Sequence, residues 1–437
     1  MGDSSRSDTH VWSGGDGLEK SRLSLGFIPL SDCAPLAIAS EKGFFKRHGL
    51  NVTLAREASW ANIRDKVALN ALDGAQMLAP MPIAATLGSC VVKQPTITAF
   101  SLGLNGNAIT VSNSLYQRLC VADPQAMTVS PVSAQALKKV IDENKRAGQP
   151  PLIFAMVFPI SNHNYQLRYW MASAGIDPDR DVRLIVIPPQ HMVANLESGK
   201  IDGFCVGEPW NTRAVRMGIG RILISGYEIW NNSPEKVLGV KLSWAEKHPN
   251  THRALIMALL EASQWIEHAE NREEVIQILA SDRYINTPVE DVAPSLTGML
   301  RYSQGDDPVK LEDFSVFYRY AANFPWRSHA EWIITQMYRW GQIDQLTDIQ
   351  ALASRIYRPD IYRDAAKALG ITAPTVDHKP EGAHAEPWVL SDAIQSISMG
   401  SDQFFDAKQY DATDPLGYLK TFSVQHLAVD AAAELIR

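Results

Sequence analysis

The sequence predicts an α/β fold, and three observations carry that prediction. Between Phe158 and Asn211, strand-like and helix-like segments alternate with short connections. The chain opens with strand, helix, glycine and strand between Arg22 and Leu54. Its 437 residues suffice for two or three domains with covered cores. Alternation with short links is the pattern of a mainly parallel sheet layered by helices. Ligands of such sheets sit beyond the carboxyl ends of the strands.

Taken in order, RLSLGFIPL (Arg22 to Leu30) reads as the first strand, Ala34 to His48 as an amphipathic helix stopped by Gly49, and Asn51 to Leu54 as the second strand. Trp60 falls in the next loop, Ile63 to Leu72 carries a helical stripe, and Ala75 to Ala79 returns as a strand. Ile97 to Val111 is strand-like around LNGNAIT, whose Asn105 and Gly106 favour a turn, and reads as a crossing between lobes. Asp123 to Pro151 is a polar helical connector. Phe158 to Asn162 is a strand end and turn, followed by a helix with Leu167, Trp170, Met171 and Ala174 on one stripe and Gly175 at its end. Arg183 to Ile187, Gly203 to Val206 and Arg221 to Ile224 are strands, with a helix from about Met192. A Ser/Pro-containing loop leads to Lys236. Helices follow over HRALIMALLEASQWIEH, over Asn271 to Asp282 and from Pro288. The last hundred residues turn helical and then loop-rich, with Pro374, Pro380 and Pro387.

Composition narrows the classes. The apolar fraction is 46%, the charged fraction 20% and the net charge -7, which disfavours a general binder of nucleic acid or anionic membranes. No stretch approaches the ~18 apolar residues of a membrane span. The amino terminus is polar and lacks the apolar core of a secretory signal, and Arg6 stands where a myristoylation signal needs Ser or Thr. The expectation is a cytoplasmic protein with a flexible segment 1–21. Cys33, Cys90, Cys120 and Cys205 form no CxxC pair, so buried thiols are expected rather than a metal site or disulfides.

Several long motifs then converge. APLAIASEKGFFKRHGLNVTL, SWANIRDKVALNALDGAQML, FPISNHNYQLRYWMASAGIDP and FCVGEPWN resemble the nitrate/nitrite- and bicarbonate-binding branch of ABC-transporter substrate-binding proteins, from about Leu23 to at least residue 330. The resemblance implies a two-lobed, type II periplasmic-binding-protein fold with a hinge cleft. Lobe 1 would comprise 22–108 and 228–330, lobe 2 would comprise 109–227, and a helical, loop-rich extension, 331–437, would pack on lobe 1. Without a leader, the chain is most similar to cytoplasmic nitrate/nitrite sensors of the NasS type. Their partner is an RNA-binding antiterminator of the NasT type, held inactive until the anion binds. No GxxxxGK[ST] signature is present. No cofactor or metal, no direct nucleic acid and no membrane partner is expected.

Nitrate is planar, singly charged and offers only acceptor oxygens, so a selective site needs convergent donors and a cation. The resemblance places these on Trp60, Asn107, His163 and Lys236. Trp60 would give an indole N–H and an apolar wall; the alternative is a core tryptophan. His163 would donate a ring N–H and become cationic in the anion's field, at a helix start that itself favours anions; the alternative is a structural histidine. Lys236 would supply the fixed charge, where an isolated lysine is otherwise solvated. Asn107 would donate its amide, unless it is only a turn residue. Backbone N–H groups of Ala61 and Asn62 would complete the cage, and Glu208 would be structural or orient a donor. With four non-hydrogen atoms at roughly -1.5 kcal/mol each, nitrate has a ceiling near a Kd of tens of micromolar.

Two other readings stay open. One is an exported nitrate or bicarbonate substrate-binding protein of an ABC transporter. The other is an enzyme on the same fold, of the thiamine-pyrimidine synthase or desulfinase kind, with Cys205 as nucleophile and His163 as its base.

Overall fold

The computed structural model describes residues 17–89, 92–346 and 348–427; Cys90 and most of the segment 1–21 lie outside them. Among the described residues, ten strands and one two-residue edge strand build two sheets. The ten are β1 (Arg22–Phe27), β2 (Asn51–Arg56), β3 (Gly74–Leu78), β4 (Thr96–Asn105), β5 (Asn107–Ser112), β6 (Ile153–Met156), β7 (Arg183–Val186), β8 (Gly203–Gly207), β9 (Gly220–Ser225) and β10 (Pro234–Lys241). The first sheet runs β4-β10-β3-β1-β2, with the short strand Ser315–Val316 on the β4 edge; the second runs β7-β6-β8-β5-β9.

Neither sheet is purely parallel. In the first, β1 pairs parallel with β2 and β3, and β10 pairs antiparallel with β3 and β4. In the second, β6 pairs parallel with β7 and β8, and β5 pairs antiparallel with β8 and β9. The βαβ strands are the parallel ones, as their short helical links require. The antiparallel ones, β5 and β10, are strands that enter from the other sheet, and a chain coming from the far side must run the opposite way.

Two crossings join the sheets. β4 passes into β5 through Gly106 alone, whose φ of +86° lies where a side chain is strained. β9 returns to β10 through the short helix Gly226–Ile229 and Trp230. Asn105 ties the crossings together: its amide donates to Asn231 O at 2.8 Å, and its Oδ1 accepts the Ser233 N–H at 3.0 Å. The crossing read from Ile97 to Val111 is therefore a real feature of the fold.

Three local expectations change. The helix expected over Ala34 to His48 is two, Ala34–Glu41 and Phe44–Arg47, because Gly43 adopts φ +75° between them. Trp60 is the first residue of the helix Trp60–Ala68 rather than a loop residue, since Ser59 caps that helix by accepting the Asn62 N–H. The carboxyl-terminal segment packs on both halves of the molecule. On the first, the Tyr357 hydroxyl donates to Ala79 O at 2.9 Å. On the second, the hydroxyls of Tyr165 and Tyr169, in the helix Asn162–Ser173, donate to Gln342 Oε1 at 2.7 Å and Asp406 Oδ1 at 2.9 Å.

Candidate functional site

Trp60, Asn107, His163 and Lys236 come from four separate elements and meet between the two sheets. None is more than 1% exposed. Lys236 lies inside β10, opposite Leu78 of β3 and Gly103 of β4, so its ammonium is held from below by the first sheet. It sits 5.5 Å from the centre of the Trp60 ring. His163 stands in the first turn of the helix Asn162–Ser173, which Ser161 caps by accepting the Asn164 N–H at 3.1 Å. Asn107 opens β5, just past the Gly106 crossing. Gln190, after β7, donates its amide to Ala58 O at 2.9 Å beside the Trp60 helix.

Carboxylates that the sequence reading missed surround the cation. Asp32 Oδ2 lies 2.7 Å from Lys236 Nζ, and Glu235 contacts the same Nζ. Glu235 Oε2 accepts the Asn107 amide N–H at 2.6 Å, and its Oε1 lies 3.4 Å from His163 Nε2. Gln76 donates to Asp32 and Gln166 Oε1 accepts from Asn107. Glu235 and Lys236 are consecutive in a strand, so one would be expected to face away. Register shifts on both sides of Lys236 in the β10–β4 pairing break that alternation, and both side chains are buried. The signal available in the sequence was the unbroken strand-like run after PEK, which leaves no turn to expose Glu235.

Several polar atoms in this space have no partner: Trp60 Nε1, both ring nitrogens of His163, Asn107 Oδ1 and Glu208 Oε1. Buried polar groups are rarely left so. Burial and the Lys236 charge hold the His163 imidazole well below its usual titration range, so the ring is neutral here rather than already cationic. The Lys236 ammonium is pushed up: burial opposes its charge, but Asp32 and Glu235 outweigh that. Burial raises the Glu235 carboxyl, with Lys236 only partly offsetting it. Burial pushes Glu208 up to about 7, while its Oε2 accepts the Thr212 N–H at 3.1 Å. Glu208 thus caps the helix Trp210–Arg216 from within the GEPW turn.

Of the two backbone donors expected beside Trp60, the Asn62 N–H is taken by Ser59. Cys205, buried on β8, has its thiol pushed far up by burial and then by Glu235, the reverse of what a nucleophile needs. Cys33 is buried and Cys120 is half-buried.

Residues 16–280 match the NMT1-like family. The nitrate import ATP-binding protein NrtC of Synechocystis is 41% identical over 94% of this chain, which spans only 56% of that relative's length. The nitrate/nitrite binding protein NrtA of Synechococcus elongatus is 38% identical, with 93% of this chain and 87% of the relative covered. The bicarbonate-binding protein CmpA of the same species is 32% identical, covering 94% and 89%. The crystal structure of the periplasmic nitrate-binding protein NrtA of Synechocystis superposes with a TM-score of 0.83 at 31% identity, covering 94% of this chain and all of that one. The fold is that of a two-lobed substrate-binding protein. The chain belongs to the NMT1-like family and, within it, to the nitrate- and bicarbonate-binding proteins associated with ABC transporters.

Proposed function

We infer that this protein binds nitrate or nitrite between its lobes, through Trp60, His163 and Lys236, as the anion-recognising component of an ABC import system; Asn107, expected as a donor, spends its amide hydrogens on Glu235 and Gln166 instead. One observation carries the reading: the Trp60 and His163 nitrogens are buried without acceptors beside a fixed ammonium. An acceptor-only anion supplies what these donors lack. The partner that the relatives' names support is an import ATPase rather than an antiterminator, so the transport-linked alternative has better support than the NasT-coupled sensor.

Bicarbonate is the second reading, because the unpartnered Asn107 Oδ1 is an acceptor and bicarbonate, unlike nitrate, carries an O–H to donate. A cytoplasmic sensing role is a further one. Fractionation of cells producing the native gene product separates it from an exported carrier.

The ligand test is a thermal-shift series with nitrate, nitrite, bicarbonate, sulfate and taurine. Ligand at about 100 times Kd stabilises by about 2.7 kcal/mol. Stabilisation by nitrate and nitrite is the expected result; a response to bicarbonate alone, or to taurine alone, sinks the nitrate reading.

A further inference from the structure

Resting on the anion-binding reading, we propose that the site takes up one proton from solvent with each anion and that the His163–Glu235 pair receives it. Lys236 brings one positive charge, and Asp32 and Glu235 bring one negative charge each. Their oxygens all face donors: Asp32 accepts from Lys236 and Gln76, and Glu235 accepts from Lys236 and from the Asn107 amide. Donor-only surroundings of this kind belong to ionised carboxylates, and they favour the charged form of Glu235 against the burial that raises it. The cluster therefore holds a net charge of minus one before any anion arrives.

An incoming nitrate would make that minus two, among side chains of which Lys236 and His163 are 0% exposed and Glu235 2%. Unpaired buried charge is costly enough that a proton is taken up instead. The neighbouring groups narrow where it goes. From β10, Lys236 is already protonated, and from β8, the Cys205 thiol is too. Asp32, before the first helix, is committed to two donors. Glu208, after β8, has one oxygen held by Thr212 and the other unpartnered, but no hydrogen bond or ion pair among the described residues joins it to Lys236, Glu235 or His163. The Trp60 helix presents only the indole. That leaves Glu235 and His163, 3.4 Å apart, and the imidazole is the group with both nitrogens free of partners. Protonated, the ring donates one N–H to Glu235 and turns the other toward the anion. Burial and Lys236 keep it neutral until then.

The test is calorimetric titration of the intact protein with nitrate, at one pH, in buffers that differ in ionisation enthalpy. Nitrate is the anion of a strong acid, so any proton taken up lands on the protein. The expected result is an uptake approaching one proton per nitrate, with affinity weakening as pH rises, by up to about tenfold per pH unit. Glu235→Gln removes one negative charge, and its nitrate binding should proceed with little or no proton uptake; a circular-dichroism melt checks that it folds. Nitrate binding with the same heat in every buffer and a flat pH profile overturns the proton linkage and leaves the nitrate reading standing. No nitrate heat in any buffer removes both.

Discussion

Lys236 and Lys379 are both fully buried, each between two carboxylates and close to a histidine. Around Lys379, in the carboxyl-terminal segment, the spare valences are largely filled. Asp402 accepts the Trp230 indole N–H at 2.7 Å and the Gly382 N–H at 3.0 Å, and Glu381 accepts the Ser328 hydroxyl at 2.6 Å. Burial works against ionising Glu381, yet Lys379 and His329 overcome it and hold the carboxyl far below its usual range. Around Lys236 the carboxyl of Glu235 goes the other way, and donors on Trp60 and His163 are left over. A buried lysine with carboxylates is thus no mark of a site. What sets the Lys236 cluster apart is that the Trp60 indole and both His163 nitrogens are left over together, whereas His329 beside Lys379 leaves over one nitrogen.

The sharpest way to test the contrast is to break each cluster in turn. Lys379→Met strands two buried carboxylates and should cost about 3–5 kcal/mol of stability in a denaturant titration. It should leave the anion affinity of the folded protein unchanged; a lost affinity would mean that the two clusters are not separate. Lys236→Met should cost about 2–5 kcal/mol of nitrate binding, read by calorimetry. Retained affinity would show that the lysine serves only the fold.

A third comparison uses pH. Glu208 titrates near 7 in the folded chain against an ordinary 4.5, so the folded state holds the extra proton. Its contribution is fully present below about pH 4.5 and is lost as pH rises to about 7, up to roughly 3 kcal/mol. Glu208→Gln should flatten that part of the stability profile, measured by melts across pH. Glu381, held low, contributes in the opposite sense: its stability is fully present well above about pH 4.5 and is lost progressively as pH falls below it. The smallest effect expected is at the helix cap: Ser161→Ala should cost about 1 kcal/mol. It should also weaken nitrate binding a few-fold, because the first helical turn carries His163; unaltered affinity would show that the ring is fixed by other contacts.

The sequence made the alternation of strands and helices legible, along with the Asn105–Gly106 crossing, because periodicity and turn residues are local properties. Trp60, Asn107, His163 and Lys236 were legible through long motifs, and the structure gathers all four. Asp32, Gln76 and Glu235 were not. Asp32 and Gln76 act through partners distant in sequence, and Glu235 hides in a Pro-Glu-Lys run that reads as solvated until the irregular β10 pairing turns it inward. The mixed sheets were likewise invisible, since strand direction at a crossing depends on which sheet the chain has just left. The extension was expected on one lobe; its second attachment rests on Tyr165 and Tyr169, which in the sequence are ordinary helix aromatics.

That second attachment converges on one ring. Phe404 stacks on Trp230 at 4.5 Å, on Tyr169 at 5.4 Å and on Trp332 at 5.9 Å, so the second crossing, the His163 helix and the helix Arg327–Arg339 share one aromatic partner. Every one of those surfaces is made on the ribosome before Phe404 is. Until the final stretch emerges, the nascent protein presents an uncovered aromatic patch of the kind that promotes self-association. Chains truncated before Phe404 should therefore accumulate in inclusion bodies even though both sheets are complete in them.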